Sequence, residues 1–493
     1  MATLRRAPAG QETLIGIDVL PGPGAVVHCA DALDLLPTLP DASVDAIVTD
    51  PPYELAFLGK SWDASGIAYN VDLWRECLRV LKPGGHLAAF GATRTYHRMT
   101  VAIEDAGFEI RDSLHWMYGT GFPKGQDVGK LIDRRRNDRP RLLEFTAAFA
   151  AARDAAGWTN TQIDALLGFN GMAGHWTTQR KTAAVPTVEQ WERLCAELGI
   201  ADPGLDDLVQ HLNGRKNALG EAWEQREVIG QGIRRRGNSG VFPQLASETF
   251  DVTAPATDAA ARWDGWNTTL KPGHEPIVLA RKPLEGSVAS NVFAHGTGGI
   301  NTAACKTPPG DEAGRWPTNL LLSHAAAVQD GQLVDACGDR CVQGCPVAEL
   351  DAQSGLLHSG ANPRRRSADK FRDVYGDFKG QAACTPVRGA DSGGASRFFP
   401  AFRYQAKAPS RERPRLPDGT VHPTVKPVAL MRWLVRLLTP PGGTVFDPFA
   451  GTGTTLEAAR LEGFPSVGVE KDPAYAELCR LRLGSGRGRE QAT

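Results

Sequence analysis

Thr444-Val445-Phe446-Asp447-Pro448-Phe449-Ala450-Gly451-Thr452-Gly453-Thr454-Thr455 runs from a short apolar stretch into a glycine-rich turn, then into the helical spacing of Leu456, Ala459 and Leu461. Strand, tight turn and helix in that order make one unit of an α/β sheet. Glycine has no Cβ, so Gly451 and Gly453 let a ligand approach the backbone closely. The helix that follows offers unpaired N–H groups at its start. A second apolar run, Phe464-Pro465-Ser466-Val467-Gly468-Val469-Glu470, ends in an acid. It lies about 20 residues past the turn, where a carboxylate at the tip of the next strand commonly holds ribose hydroxyls. An ordinary βαβ unit with packing glycines shares this pattern, so the chemistry has to be sought elsewhere in the chain.

Near the other end, Val44-Asp45-Ala46-Ile47-Val48-Thr49 is a strand-like run that delivers Asp50-Pro51-Pro52-Tyr53. This tetrapeptide suits one difficult substrate, the exocyclic amino group of a nucleic-acid base. That nitrogen is a poor nucleophile because its lone pair is delocalised into the ring. A carboxylate and a backbone carbonyl accepting its two N–H bonds would localise the pair. Asp50 supplies the carboxylate. Pro51 lacks an N–H, so its carbonyl can turn inward with no competing donor. Pro52 shapes the turn, and Tyr53 can stack on a base swung out of its helix. As plain structure, the same residues are a Pro-Pro strand terminator and a core tyrosine.

Between these ends the chain alternates. Val71 to Leu81 has amphipathic helical spacing and is closed by Pro83-Gly84-Gly85. His86 to Phe90 is a buried strand, Thr93 to Ala106 a helix stopped by Gly107, and Glu109 to Met117 another strand. Regularity is then lost until Glu275-Pro276-Ile277-Val278-Leu279-Ala280-Arg281-Lys282-Pro283, a strand bounded by prolines. Alternating strands and helices predict a mostly parallel sheet covered on both faces.

These residues resemble the S-adenosylmethionine-dependent amino-methyltransferases of DNA, in particular the permuted beta group of phage or restriction-modification type. In that group Asp-Pro-Pro-Tyr precedes the cofactor glycine loop, as here. Val421-His422-Pro423-Thr424-Val425-Lys426-Pro427 is similar to the family's His-Pro-Thr-x-Lys-Pro segment. His28-Cys29-Ala30-Asp31-Ala32-Leu33-Asp34-Leu35-Leu36 is similar to its strand and acidic turn ahead of the catalytic strand. The resemblance covers residues 25–120, 270–283 and 420–483. It implies a Rossmann-like methyltransferase sheet, mostly parallel, circularly permuted in motif order, with one antiparallel strand at 277–281 and two large insertions. It implies catalysis by Asp50, Pro51, Pro52 and Tyr53. It implies S-adenosylmethionine held by Asp31, Lys426, Asp447, Phe449, Gly451, Gly453, Thr454 and Glu470. Asp at the first motif position resembles the adenine-N6 enzymes. Cytosine-N4 enzymes more often carry Ser and are the second reading. A DNA-binding regulator on a degenerate methyltransferase fold is the reading from another class, opposed by intact Asp50, Tyr53, Gly451 and Gly453.

The expected organisation is a catalytic half at 25–120, an insertion at 121–270, a returning strand at 271–284, a second insertion at 285–415 and a cofactor half at 416–485. Within the first insertion, 142–200 reads as a helix-turn-helix-like module. Leu142 to Ala156 is followed by Thr159 to Leu167, Met172 to Arg180 and a helix opened by the capping box Thr187-Val188-Glu189-Gln190. Met172 to Arg180, with His175, Trp176, Thr177, Thr178 and Gln179, would be its recognition segment. A helical packing insertion without DNA contact fits the same pattern. The second insertion carries Cys337, Cys341 and Cys345, with His324 upstream. Three thiolates and an imidazole are a structural zinc set. The spacing is not a common knuckle, and reduced cysteines in a compact loop are the alternative.

The chain has 493 residues, 42% of them apolar, enough for large cores. The net charge of −1 is not that of a nucleic-acid binder, but phosphate contact needs local charge. Arg134-Arg135-Arg136 with Arg139 and Arg141, Arg234-Arg235-Arg236, Arg364-Arg365-Arg366, and Arg411, Arg413 and Arg415 supply it. Double-stranded DNA is thus the expected partner, engaged by a monomer or homodimer. Arg5 and Arg6 lead into no apolar stretch and no run has membrane-spanning length, so a cytoplasmic enzyme is expected. Nine cysteines then read as thiols or metal ligands.

Overall fold

The computed structural model describes residues 17–19, 24–55, 61–118, 125–135, 138–215, 218–234, 248–307, 314–329, 332–335, 341, 345–360, 370–372, 376–378, 390–402, 414–422 and 424–484. They fall into two compact units. One lies within Met1–Phe122, Arg236–Leu245 and Pro272–Thr493, the other within Pro123–Arg235 and Ala246–Lys271.

The first unit is built on a ten-stranded sheet. Its strands are β1 (Ile17–Val19), β2 (Ala25–Cys29), β3 (Val44–Thr49), β4 (Leu81–Phe90), β5 (Glu109–Met117), β6 (His274–Arg281), β7 (Leu320–Ser323), β8 (Ala401–Phe402), β9 (Val445–Asp447) and β10 (Ser466–Glu470). Their order across the sheet is β1-β2-β10-β9-β3-β4-β6-β5-β7-β8. The run from β2 to β4 is parallel throughout. All six residues of β3 are buried, as expected of a strand covered on both faces. Strand β6 runs antiparallel to both β4 and β5, as the family resemblance implies. The short edge strand β1 is a second antiparallel strand, paired with β2.

Helices α1 (Val71–Val80) and α2 (Tyr96–Asp105) cover one face. Leu73, Trp74, Cys77 and Ile103 pack there on Ile47, Leu87 and Phe446. The other face is covered by α3 (Val428–Leu438) and α4 (Thr454–Leu461). Leu430, Met431, Leu434 and Ala458 pack on Val48, Ala88, Phe90 and Val445. Each large apolar side chain buried this way contributes about 1.5–3 kcal/mol. A last helix, α5 (Pro473–Gly484), follows β10. Strand β4 begins at Leu81 rather than His86. The Pro83-Gly84-Gly85 stretch is carried inside it, with a register irregularity opposite Val44 and Ala46.

The second unit is a helical body with one hairpin, Val228–Arg234 against Glu248–Thr253. Its helices include Arg139–Ala155, Asn160–Leu167, Met172–Trp176, Val188–Leu198 and Pro203–Gly214. Capping boxes at Thr159–Gln162 and Thr187–Gln190 start two of them. Phe145, Phe149 and Trp191 form its aromatic centre, with Trp191 edge-on to both phenyl rings at 5.3 Å. Leu205, Val209 and Leu212 of Pro203–Gly214 join the same core, so the module extends past residue 200. Asp133, fully buried, pairs with the equally enclosed Arg226 and accepts from Thr257 Oγ1 at 2.8 Å.

The expected recognition segment needs correction. Only Met172–Trp176 is helical. Trp176 is 1% exposed. Gln179 Nε2 donates to the Leu143 carbonyl and Thr146 Oγ1, and Thr177 Oγ1 donates to the Ala173 carbonyl. Thr177 and Gln179 are thus engaged inside this helical body, Gln179 on Arg139–Ala155.

Among the basic clusters, Arg134 lies over the Trp223 ring at 4.1 Å and Arg141 bonds His211 at 2.7 Å. Arg136, Arg235, Arg236, Arg364 to Arg366, Arg411 and Arg413 lie outside the described residues, as does Cys337. No helix among the described residues is long and apolar enough to cross a membrane.

Candidate active site

In a parallel sheet the strand ends on one edge converge, and that edge is where ligands sit. Here β2, β10, β9 and β3 bring Asp31, Glu470, Asp447 and Asp50 to a common edge. Antiparallel β6 delivers its second residue, Glu275, to the same edge, because Ile277 pairs with Phe90 and Glu275 with Trp116.

Around Asp50 the side chains form one charged group. Lys426 Nζ donates to Asp50 Oδ2 at 2.6 Å and stands 3.5 Å from Glu275 Oε2. The Tyr53 hydroxyl donates to Glu275 Oε2 at 2.8 Å. The ammonium also sits 5.0 Å above the Tyr53 ring and 4.9 Å above that of Phe90. One cation therefore serves two carboxylates, in a site where Lys426 is only 9% exposed. Burial opposes its charge, but Asp50 and Glu275 outweigh that and hold its pKa above the usual lysine value. Burial, with the negative charges of Asp50 and Glu275, pushes the Tyr53 phenol well above its ordinary range. Asp50 Oδ1, the second oxygen of that carboxylate, is buried and has no hydrogen-bond partner in the described structure.

The turn after Asp50 is held by Asp63, whose carboxylate accepts from the N–H groups of Tyr53 (2.7 Å), Glu54 (3.0 Å) and Leu55 (3.2 Å). Thr95 Oγ1 donates to the Tyr53 carbonyl at 2.8 Å. Glu54 takes a left-handed backbone, φ 55°, uncommon outside glycine. Pro51 is buried and Pro52 half-buried.

The second group lies at the glycine turn. Asp447 Oδ1 accepts from Thr49 Oγ1 at 2.7 Å and from the Phe449 N–H at 3.0 Å. Burial raises its carboxyl to about 6, against the hydrogen bonds of Thr455, Thr49 and Phe449. Gly451, at φ 53°, donates its N–H to Glu470 Oε2 at 2.9 Å, and Asp472 donates to Oε1 at 2.7 Å. Burial raises Glu470 to about 7. Gly453, φ 75°, is the N-cap of α4, and a Cβ there would fall on Cys479 Sγ. Thr454 opens α4 and is buried. Asp31 caps the short helix Ala32–Leu35 and pairs with Lys471 at 2.7 Å. Burial pushes the Asp31 carboxyl up, but Lys471 and the Leu33 N–H hold it below its ordinary value.

The structure thus joins Asp50 and Tyr53 in one cluster, and Asp447, Phe449, Gly451, Gly453 and Glu470 in another, bridged by the Thr49–Asp447 bond. Lys426, expected with the cofactor set, stands instead on Asp50. Glu275, Asp63, Thr49 and Thr95 were not among the expected site residues. Glu275 alone carried a signal, an acid opening an otherwise apolar strand. His324, Cys341 and Cys345 come together far along the sheet order, at β7.

A family model described as DNA methylase, for N6 and N4 enzymes, matches residues 44–139 and 267–480. The type II methyltransferase M.ScaI of Streptomyces caespitosus is 36% identical over 85 residues, 17% of this chain and 26% of that protein. The chain therefore matches about a quarter of that relative's length. Among solved structures, the M1.HpyAVI–SAM complex is 12% identical, covering 93% of this chain and 99% of that one, with a TM-score of 0.32. The cytosine-N4-specific PvuII DNA methyltransferase is 11% identical, covering 95% and 90%, with a TM-score of 0.35. The family match spans more than half of the chain and takes in both clusters, Asp31 aside. On that match, the chain belongs to the DNA methylase family, whose enzymes are S-adenosylmethionine-dependent amino-methyltransferases.

Proposed function

We propose that this chain transfers a methyl group from S-adenosylmethionine to the exocyclic N6 of adenine in double-stranded DNA, at a specific site and on a flipped base. The observation that carries the reading is Asp50, one oxygen fixed by Lys426 and the other buried and unpartnered. A buried acceptor without a donor costs about 1–3 kcal/mol. An amino N–H of the substrate would satisfy it.

Each residue then has a part. Asp50 Oδ1 accepts one amino proton and the Pro51 carbonyl the other, which draws the nitrogen lone pair out of the ring. Lys426 holds the Asp50 carboxylate in place through Oδ2. Pro52 and Asp63 shape the turn, and Tyr53, its hydroxyl tethered by Glu275, offers its ring for stacking. Catalysis comes from position and polarisation. The glycine turn fits the cofactor. Glu470 accepts one N–H at each oxygen and keeps lone pairs for hydroxyl groups, and Asp31 stands at the neighbouring strand end. When bound there, S-adenosylmethionine would supply the methyl group, and the amino proton it displaces would pass to solvent. Asp447 and Phe449 hold the turn, and Gly451, Gly453 and Thr454 open the helix beside it.

The choice of adenine rests on Asp at the first motif position. Cytosine N4 is the second reading. We assign DNA contact to the insertions at 121–270 and 285–415, and expect a cytoplasmic monomer or homodimer. The test is incubation with cofactor labelled in its methyl group and DNA of mixed sequence, followed by digestion and nucleoside chromatography. Label in N6-methyldeoxyadenosine is expected. Label in N4-methyldeoxycytidine moves the enzyme to cytosine. No label, with cofactor still bound, leaves a DNA-binding regulator.

A further inference from the structure

Beyond the methyl-transfer site, we propose that His324, Cys341 and Cys345 bind a structural zinc ion. It would pin the helix Pro346–Ser354 to the edge of the large sheet. The argument starts from distance. Zinc bonds sulfur at about 2.3 Å and imidazole nitrogen at about 2.0–2.1 Å, and at the tetrahedral angle this puts S and N about 3.6 Å apart. His324 Nδ1 lies 3.4 Å from Cys341 Sγ and 3.6 Å from Cys345 Sγ. All three ligand atoms fall within 4.8 Å of one another. The two distances are those of a shared ion.

Charge and surroundings agree. Two thiolates neutralise one divalent cation, so the set can be buried at little electrostatic cost. Cys345 is 0% exposed. It is also the N-cap of Pro346–Ser354, so a ligand bond at its sulfur would act directly on the start of that helix. The Ala325 N–H donates to Cys345 Sγ at 3.4 Å, a hydrogen bond of the kind that steadies a ligating sulfur. The backbone at His324 is fixed, its main-chain N–H donating to the Phe402 carbonyl at 2.9 Å beyond the β7–β8 pairing.

The neighbourhood has need of such a fastening. Among the described residues, the apolar cluster there has Leu322, Cys345 and Val347 as buried members, with Leu350 and Phe399 partly buried against them. A metal is one of the few ways to reinforce a core that small. No described residue fills a fourth position.

The full-length protein, purified under reducing conditions without chelator, should contain about one zinc per chain by elemental analysis. Exchange for cobalt should give the intense visible bands of tetrahedral coordination and a thiolate-to-cobalt charge-transfer band. Cys341→Ser is the informative variant, because Cys341 is exposed and its loss endangers folding least. It should release zinc to a chromophoric chelator at least tenfold more readily, as should His324→Ala, whereas Cys195→Ser should not. A wild-type protein without zinc and without cobalt bands overturns the proposal. So does zinc held equally well by Cys341→Ser and His324→Ala. Because the readouts are metal content and spectrum, failure of methyl transfer would not be mistaken for failure here.

Discussion

Replacing Asp50 by Asn keeps the shape of the side chain and removes one of its two acceptors. In the wild type Oδ2 receives Lys426 at 2.6 Å, while buried Oδ1 has no hydrogen-bond partner and is the oxygen proposed to meet the base. An amide has a single oxygen. If that oxygen stays on Lys426, the NH2 group faces the amino group of the base, donor against donor. If it turns to the base, the NH2 group faces the ammonium. Either way one charge-assisted bond is lost, worth about 1.5–3 kcal/mol. A Coulomb figure agrees. About half a unit of positive charge developing on the amino nitrogen, about 3 Å from the carboxylate, is worth about 3 kcal/mol at an effective dielectric of about 20. The expected loss is therefore about 10–150-fold in the single-turnover rate of labelled methyl transfer. Cofactor affinity by calorimetry should stay within about threefold, since the glycine turn is untouched, and the melting temperature should show that the variant folds. Asp50→Asn retaining more than about a tenth of the wild-type rate would refute the role given to Oδ1.

Tyr53→Phe removes only the hydroxyl held by Glu275 and should cost about 1 kcal/mol. Tyr53→Ala also removes the stacking face and should weaken capture of the flipped base by about 1–3 kcal/mol more, read from DNA KM and from 2-aminopurine fluorescence at the target; equal losses in the two would contradict stacking. Gly453→Ala forces a side chain into a left-handed position facing Cys479 Sγ. It should cost about 1–2 kcal/mol for the backbone alone, and Cys479→Ala should recover part of the rest; an unchanged melting temperature would show that the turn is looser than described. Burial lifts Glu470 from 4.5 to about 7, so between those values the native state binds a proton that the unfolded chain has released. Its stabilising contribution is present below pH 4.5 and is lost as pH rises through about 7, at most about 3 kcal/mol in all. Urea unfolding of Glu470→Gln from pH 5 to 8 should therefore fall off less steeply than wild type, and an identical slope would reject that account.

The strands that carry chemistry were legible because each is a continuous apolar run closed by a turn residue. Val44–Thr49, Val445–Asp447 and Ser466–Glu470 all lie where the hydrophobic pattern puts them. The edges of the sheet were not legible. Ile17–Val19 is three residues long, and Leu320–Ser323 pairs with Ala401–Phe402, a partner remote in sequence. No periodicity reports so short or so distant a pairing. The site shows the same divide. Asp50, Tyr53, Asp447 and Glu470 declare themselves by local context. Glu275 does not, since its place depends on β6 running against its neighbours. Lys426 was assigned to the cofactor by resemblance, and only the fold brings its ammonium to Asp50.

The stem of the long insertion has its own consequence. Strands β5 and β6 pair residue by residue up to Met117 and His274, and the Tyr118 N–H bonds the Gly273 carbonyl at 2.9 Å. The helical body ties its own ends too, since the Thr268 N–H bonds the Gln126 carbonyl at 3.0 Å. A hairpin loop of roughly 150 residues closes at only about 2.4 kcal/mol more entropy than one of about 10, and a body that clasps its own ends removes even that. The stem can therefore accept grafts, a different helical body on the same catalytic sheet. The one rule such a chimera must obey is parity. Glu275 faces Trp116 one step inside the stem. A graft that shifts this pairing by one residue would turn Glu275 to the opposite face of the sheet, away from Lys426 and Tyr53. A graft that preserves the register would carry a new helical body and leave Glu275 beside Lys426 and Tyr53.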